Sequence, residues 1–168
     1  MLRNMGRGDR AGSGGRNSAI FESRGTFLVY KYKRTGKESS AKKTAWKWFS
    51  KYIRLRDCLK TTGSPDYCKC ITCGRVVPYE DIDAGHAIPG RTDGILFDES
   101  IVFGQCRLCN QGGDGEKQAF KRVLVEEHGE EWYDEKVRRR KTAMPLTDES
   151  CRLIANHYRL AFHALEKQ

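Results

Sequence analysis

The chain has 168 residues, 38% of them hydrophobic and 32% charged, with a formal net charge of +9. That length accommodates one modest domain with appendages and excludes two full cores, and the small apolar share favours a metal staple. No apolar signal opens the chain and no stretch approaches the roughly 20 apolar residues that cross a bilayer, so a cytoplasmic protein with no membrane partner is expected.

The charge is unevenly spread. Residues 1–60 hold 16 Lys and Arg against 4 Asp and Glu, whereas residues 61–168 hold 15 against 18. A basic block of this kind attracts polyanions, nucleic acid first, without distinguishing DNA from RNA.

Residues 1–37 form a basic N-terminal arm. Its first 25 residues are rich in Gly, Arg, Ser and Asn and are expected to be disordered, with a strand or ordered segment over Thr26–Lys33. Residues 38–60 predict a basic amphipathic helix, capped by Ser39 or Ser40 and running to about Leu59. Ala45, Phe49, Tyr52, Ile53 and Leu59 recur at helical spacing. Lys42, Lys43, Lys47, Lys51, Arg54 and Arg56 fill the remaining surface, the first five as candidate nucleic-acid contacts. Trp46 and Trp48 cannot both face one core stripe, so one of them, Trp46 among the candidates, is expected to reach a partner. Residues 61–129 hold a cysteine module and a short helix ending near Gly129; residues 130–168 predict helices that pack on it, the last capped by Thr147 and carrying Ile154, Tyr158, Ala161 and Leu165.

Of the seven cysteines, four stand as two knuckles, Cys70-x-x-Cys73 and Cys106-x-x-Cys109. Each knuckle turns two sulfurs toward one metal, and together they close a tetrahedral site with no open position, so a structural zinc is expected. Zinc-bound thiolates suit a reducing compartment better than disulfides do. Cys68 could compete for one place, while Cys58 and Cys151 read as buried thiols.

Between the knuckles lies Ile82-Asp-Ala-Gly-His86, which alternates as a strand would. Ile101-Val-Phe reads as a second strand, and Arg107 to Gln111 as one short helical turn. The order strand, strand, helix, with zinc pinning the hairpin base to the helix start, gives an α+β fold with a small zinc-stapled ββα core and flanking α-helices. Asp83-x-Gly-His86 followed by Gln105-Cys-x-x-Cys-Asn110 resembles the HNH endonucleases of the ββα-metal type. The closer similarity is to the phage lambda NinG (Rap) recombination family. It runs from Trp46-Lys-Trp-Phe-x-x-Tyr-Ile-Arg-Leu-Arg-Asp57 through Cys70-Ile-Thr-Cys-Gly74, Asp83-Ala-Gly-His86 and Cys106-x-x-Cys-Asn-Gln111 to the final helix, over roughly residues 45–165.

The resemblance implies a structure-specific endonuclease acting on branched DNA such as Holliday junctions and D-loops. It implies duplex or branched DNA and recombination proteins as partners, and the host cytoplasm as location for a phage-encoded chain. Symmetric cutting of a four-way junction would favour a homodimer. Within it, His86 is the candidate general base, with an ordinary pKa near 6.5. Arg91 is the candidate phosphate contact, and Asp83 with the Asn110 side-chain oxygen would hold a catalytic Mg²⁺. Two departures stand out. The place before the base, acidic or metal-binding in the common pattern, is Gly85, and the middle Asn of that pattern is missing; Asp98 is a reserve ligand. The alternative function is a non-catalytic zinc-ribbon DNA-binding protein, a regulator or assembly factor, which leaves Asp83, His86 and Asn110 without a role.

Overall fold

The computed structural model describes residues 39–112, 116–142 and 145–168. The basic arm of residues 1–37, with its expected disorder and strand, lies outside the described residues. Among the described residues the architecture is mixed α+β, with five α-helices and two small antiparallel hairpins. Residues 38–168 form one compact unit.

Helix α1 (Ser40–Thr62) is the spine. Ser39 caps it, its side chain accepting the Lys42 amide at 3.2 Å, and Gly63 ends it in the left-handed region at φ 71°, its N–H donated to the Leu59 carbonyl. Ala45, Phe49 and Ile53 are buried as the spacing requires, but so are Leu55, Asp57 and Cys58. The buried face is wider than one stripe because α1 is covered from two sides, by the C-terminal helix and by the hairpins. For the same reason both tryptophans are half-buried, Trp46 beside Phe49 and Trp48 beside Phe162.

Strands β1 (Tyr67–Lys69) and β2 (Val76–Pro78) pair around the first knuckle, and a 3-10 turn at Tyr79–Asp81 leads into β3. Strand β3 (Ile82–His86) pairs with β4 (Val102–Cys106), with Asp83 opposite Gln105 and His86 opposite Val102; β4 runs straight into α2 (Arg107–Gln111). A two-stranded sheet leaves backbone groups unpaired on its outer edge, and burying them without partners is costly. Here the Gly104 carbonyl accepts the Ile71 amide at 3.0 Å, and the Gly104 N–H donates to Asp57 Oδ2 at 2.6 Å. The Val102 carbonyl accepts Arg56 Nη2 at 3.0 Å. The β4 edge is thus closed by two charged residues of α1, and Arg56, expected on the open helix surface, is drawn inward by these partners.

Helix α3 (Lys117–His128) buries Phe120 and Leu124 and stops at Gly129, φ 89°. Helix α4 (Glu130–Thr142) begins with Glu130 and Glu131 and ends with Arg139, Arg140 and Lys141, the charge order its backbone dipole favours. Helix α5 (Asp148–Leu165) is capped by Thr147, as expected, but it buries Cys151, Ala155, Tyr158 and Phe162. Of the expected stripe, Ile154, Ala161 and Leu165 are only half-buried. The helix is rotated so that the cysteine and two aromatics face α1, because Tyr158 meets Phe49 edge-on at 4.8 Å. The core centres on Phe49, Ile53, Ile88, Ile95, Ile101, Phe120 and Tyr158, directly behind the end of β3.

Candidate metal centre and active site

The β1–β2 hairpin turns the chain at the first knuckle. Cys70 N–H bonds the Arg75 carbonyl at 2.8 Å, Gly74 N–H bonds the Cys70 carbonyl at 3.0 Å, and Gly74 takes φ 71°, which favours glycine. Cys106 closes β4 and caps α2, which carries Cys109. All four sulfurs lie within 4.8 Å of one another, and Cys73 and Cys106 are 3.9 Å apart. A tetrahedron with metal–sulfur bonds of about 2.3 Å has an edge of about 3.8 Å. The all-sulfur donor set therefore fits a structural zinc. The Cys106 N–H donates to Cys70 Sγ at 3.2 Å and Arg75 Nε to Cys73 Sγ at 3.4 Å, so donors already face the thiolate charge. Burial alone would push the Cys73 thiol up, but Arg75 and the neighbouring thiols bring it down to about 6. Cys68 stands outside the cluster, buried against α1 and bonded to Thr61 Oγ1.

The hairpin presents two groups of polar side chains. On the side facing α2, Asp83 Oδ2 accepts from Asn110 Nδ2 at 3.0 Å and from Gln111 Nε2 at 3.2 Å. Gln105, opposite Asp83, is fully buried and donates to Thr72 Oγ1 at 2.8 Å inside the first knuckle. Its carboxamide oxygen lies 2.4 Å from where a Gly85 Cβ would sit. Position 85 is a glycine because Gln105 occupies the space of its side chain.

His86 belongs to the other face. Alternation along β3 puts it with Ile82 and Ala84, not with Asp83, and three residues of strand separate the two by roughly 10 Å. The expected base and the expected Mg²⁺ ligands are therefore not brought together: Asp83 and Asn110 meet, and His86 stands apart from them on the other face. Its Nε2 lies 3.1 Å from the Leu96 carbonyl, which can only accept, so Nε2 carries the proton and Nδ1 is left as the basic nitrogen. Burial, with a further push from the Arg91 charge, lowers its pKa to about 4, so the ring is neutral at pH 7. The imidazole stacks on Trp46, with centroids 5.2 Å apart and 22° between planes. The Arg91 guanidinium lies over the same indole at 4.1 Å.

The loop between β3 and β4 is strapped from outside. Arg140 donates to the Pro89 carbonyl at 3.0 Å, Thr92 Oγ1 to the Arg140 carbonyl at 2.8 Å, and Lys136 to Asp98 at 3.0 Å; Lys42 pairs with Asp93. Burial would raise the Asp98 carboxyl, but Ser100 and Lys136 outweigh it and hold it below its ordinary value. Asp98 is thus committed to α4, not to the Asp83 group.

Residues 24–168 match the family model described as Bacteriophage Lambda NinG protein. The chain belongs to the NinG family. No curated protein and no solved structure matches it.

Several residues expected on the DNA-facing side of this NinG-family chain have partners within the chain. Lys42 pairs with Asp93, Trp46 is covered by His86 and Arg91, Lys51 lies over Trp48 and Phe162, and Arg54 stacks on Tyr79. Lys43 and Lys47 are exposed. Sequence reasoning placed Arg56 on the open helix surface and missed its role together with those of Asp57, Glu99 and Gln105; Arg56 is instead turned onto the β4 edge. Asp57 carried a readable signal: it continues the Phe49, Ile53 stripe by one turn, where an acidic residue demands a buried partner. Arg56 Nε meets it at 2.7 Å, and Tyr158 Oη donates to Glu99 at 3.0 Å to complete the network.

Proposed function

We propose that this NinG-family protein is a Mg²⁺-dependent endodeoxyribonuclease that nicks branched recombination intermediates. The observation that carries the reading is His86: a neutral imidazole at the end of a knuckle-pinned hairpin, oriented by a backbone carbonyl, with one basic nitrogen and an arginine beside it. That is an oriented base, weak in the free chain because burial lowers its pKa; tuned toward neutrality, such a base contributes about 10²–10⁴-fold.

In the proposed step Nδ1 takes a proton from water as its oxygen attacks phosphorus, the P–O bond to the sugar breaks in line, and the leaving oxygen takes a proton from solvent. Arg91 leaves Trp46 to meet the phosphate. Its charge is then neutralised, which removes one cause of the low His86 pKa and makes the base stronger when substrate is bound. Asp83 and Asn110 supply oxygen donors of the kind Mg²⁺ accepts, Asn110 after turning its amide so that oxygen replaces nitrogen. A Mg²⁺ held there would supply positive charge to phosphate, but on the hairpin face away from His86. Branch preference comes from shape, since phosphate contacts carry no sequence information.

The separation of Asp83 from His86 favours a second reading, a zinc-stapled DNA-binding protein without catalysis. A synthetic four-way junction, a duplex and a single strand, each incubated with Mg²⁺ and with EDTA, separates the two. Mg²⁺-dependent nicking selects the enzyme; tight binding with no product selects the binder.

A further inference from the structure

We propose that Trp46 is a positioning residue shared by the base and the phosphate-binding arginine, one indole fixing the plane of His86 and the resting place of Arg91. The geometry comes from the chain alone; its consequence for catalysis rests on the nuclease reading.

A single hydrogen bond from Nε2 to the Leu96 carbonyl fixes one point of the imidazole and leaves the ring free to turn about it. The second constraint is the Trp46 face, 5.2 Å away and within 22° of parallel. Arg91 reaches the same ring at 4.1 Å from a backbone that needs explaining, because φ is 39° at Arg91 after 107° at Gly90. The left-handed region is unfavourable for a residue with a Cβ, and a cation over an indole is the contact that offsets it. Lys42, one helical turn before Trp46, pairs with Asp93 two residues beyond Arg91, so one face of α1 straps the whole Arg91–Asp93 segment. Arg91 is the charged residue that acts on His86 among the described residues. Trp46 therefore controls both how deeply the base is buried and how close that charge is held.

The test is an NMR titration of His86 in the zinc-loaded full chain without DNA, paired with junction cleavage by the same proteins. Trp46→Ala uncovers the ring, so the His86 titration moves up from about 4 toward 6.5. The same variant loses about 10²-fold in kcat with little change in KM, the size of a misplacement near 1 Å. Trp46→Phe keeps an aromatic face and stays nearer the wild type in both. Should Trp46→Ala fail to retain zinc, Trp46→Leu replaces it, with apolar bulk but no ring. A His86 titration unmoved in a zinc-retaining variant that lacks the ring overturns the proposal. A wild-type protein that cuts nothing, yet whose His86 titration follows Trp46, defeats the nuclease reading and leaves the positioning role standing.

Discussion

Burying one imidazole changes what acid does to this protein. His86 titrates near 6.5 in the unfolded chain and at about 4 in the folded one. Between those values the unfolded chain binds the proton and the folded chain does not, so stability is full above 6.5 and falls as pH drops toward 4. The loss is at most about 3 kcal/mol. Urea midpoints measured from pH 7 down to 4.5 should decline in the wild type and decline less in His86→Phe; parallel curves would contradict the burial of His86. On the proposed nuclease reading, the same depression puts the acid limb of kcat/KM near 4 instead of 6.5. The cysteines make a separate prediction. Cys109→Ser removes one of four sulfurs, and structural zinc sites contribute about 10–16 kcal/mol apparent, comparable to a whole domain's stability. Metal analysis should find zinc lost, with the hairpin amides collapsing to unfolded shifts; a folded, zinc-free variant would remove the staple from the account.

Among the elements, α1 does the most to hold the site together, and its sequence was only partly readable. The cap at Ser39, the stop at Gly63 and the Ala45, Phe49, Ile53 stripe all follow from local chemistry. The second buried side does not, because it depends on where β4 and α5 come to rest. Asp57 shows the difference: its charge at a stripe position signals a buried partner, but only the folded hairpin reveals that the partner is the open edge of β4. Asp57→Ala would leave Arg56 and the Gly104 amide without it. Breaking a buried pair costs about 3–5 kcal/mol, readable as a lowered urea midpoint with zinc still bound; an unchanged midpoint would mean that the edge is closed by something else. The strand, strand, helix order of residues 82–111 was legible from alternation and from the knuckles. The side on which His86 emerges was also fixed by alternation, since Asp83 and His86 are an odd number of residues apart. Reading Asp83, His86 and Asn110 as one catalytic group overlooked that spacing. The Gln105 side chain over Gly85 was not legible, because cross-strand register decides it.

Across the whole molecule, positive charge outside the hairpin and chemistry within it serve one proposed substrate. The exposed Lys43 and Lys47 lie on α1, each one residue beyond Lys42 and Trp46, which hold the strapped loop. If both meet phosphates, Lys43→Glu with Lys47→Glu weakens binding to every DNA shape and lowers the log–log salt slope by about 0.9 for each phosphate left without its lysine. An unaltered slope would place the DNA elsewhere. Among the described residues no helix is long and apolar enough to cross a membrane. The most direct test of the central claim is the single-turnover rate of Mg²⁺-dependent junction nicking by His86→Ala, with zinc content and junction affinity measured on the same sample. With His86 as the base, the rate falls by about 10²–10⁴-fold with both controls unchanged. A His86→Ala protein that nicks at the wild-type rate would contradict that role.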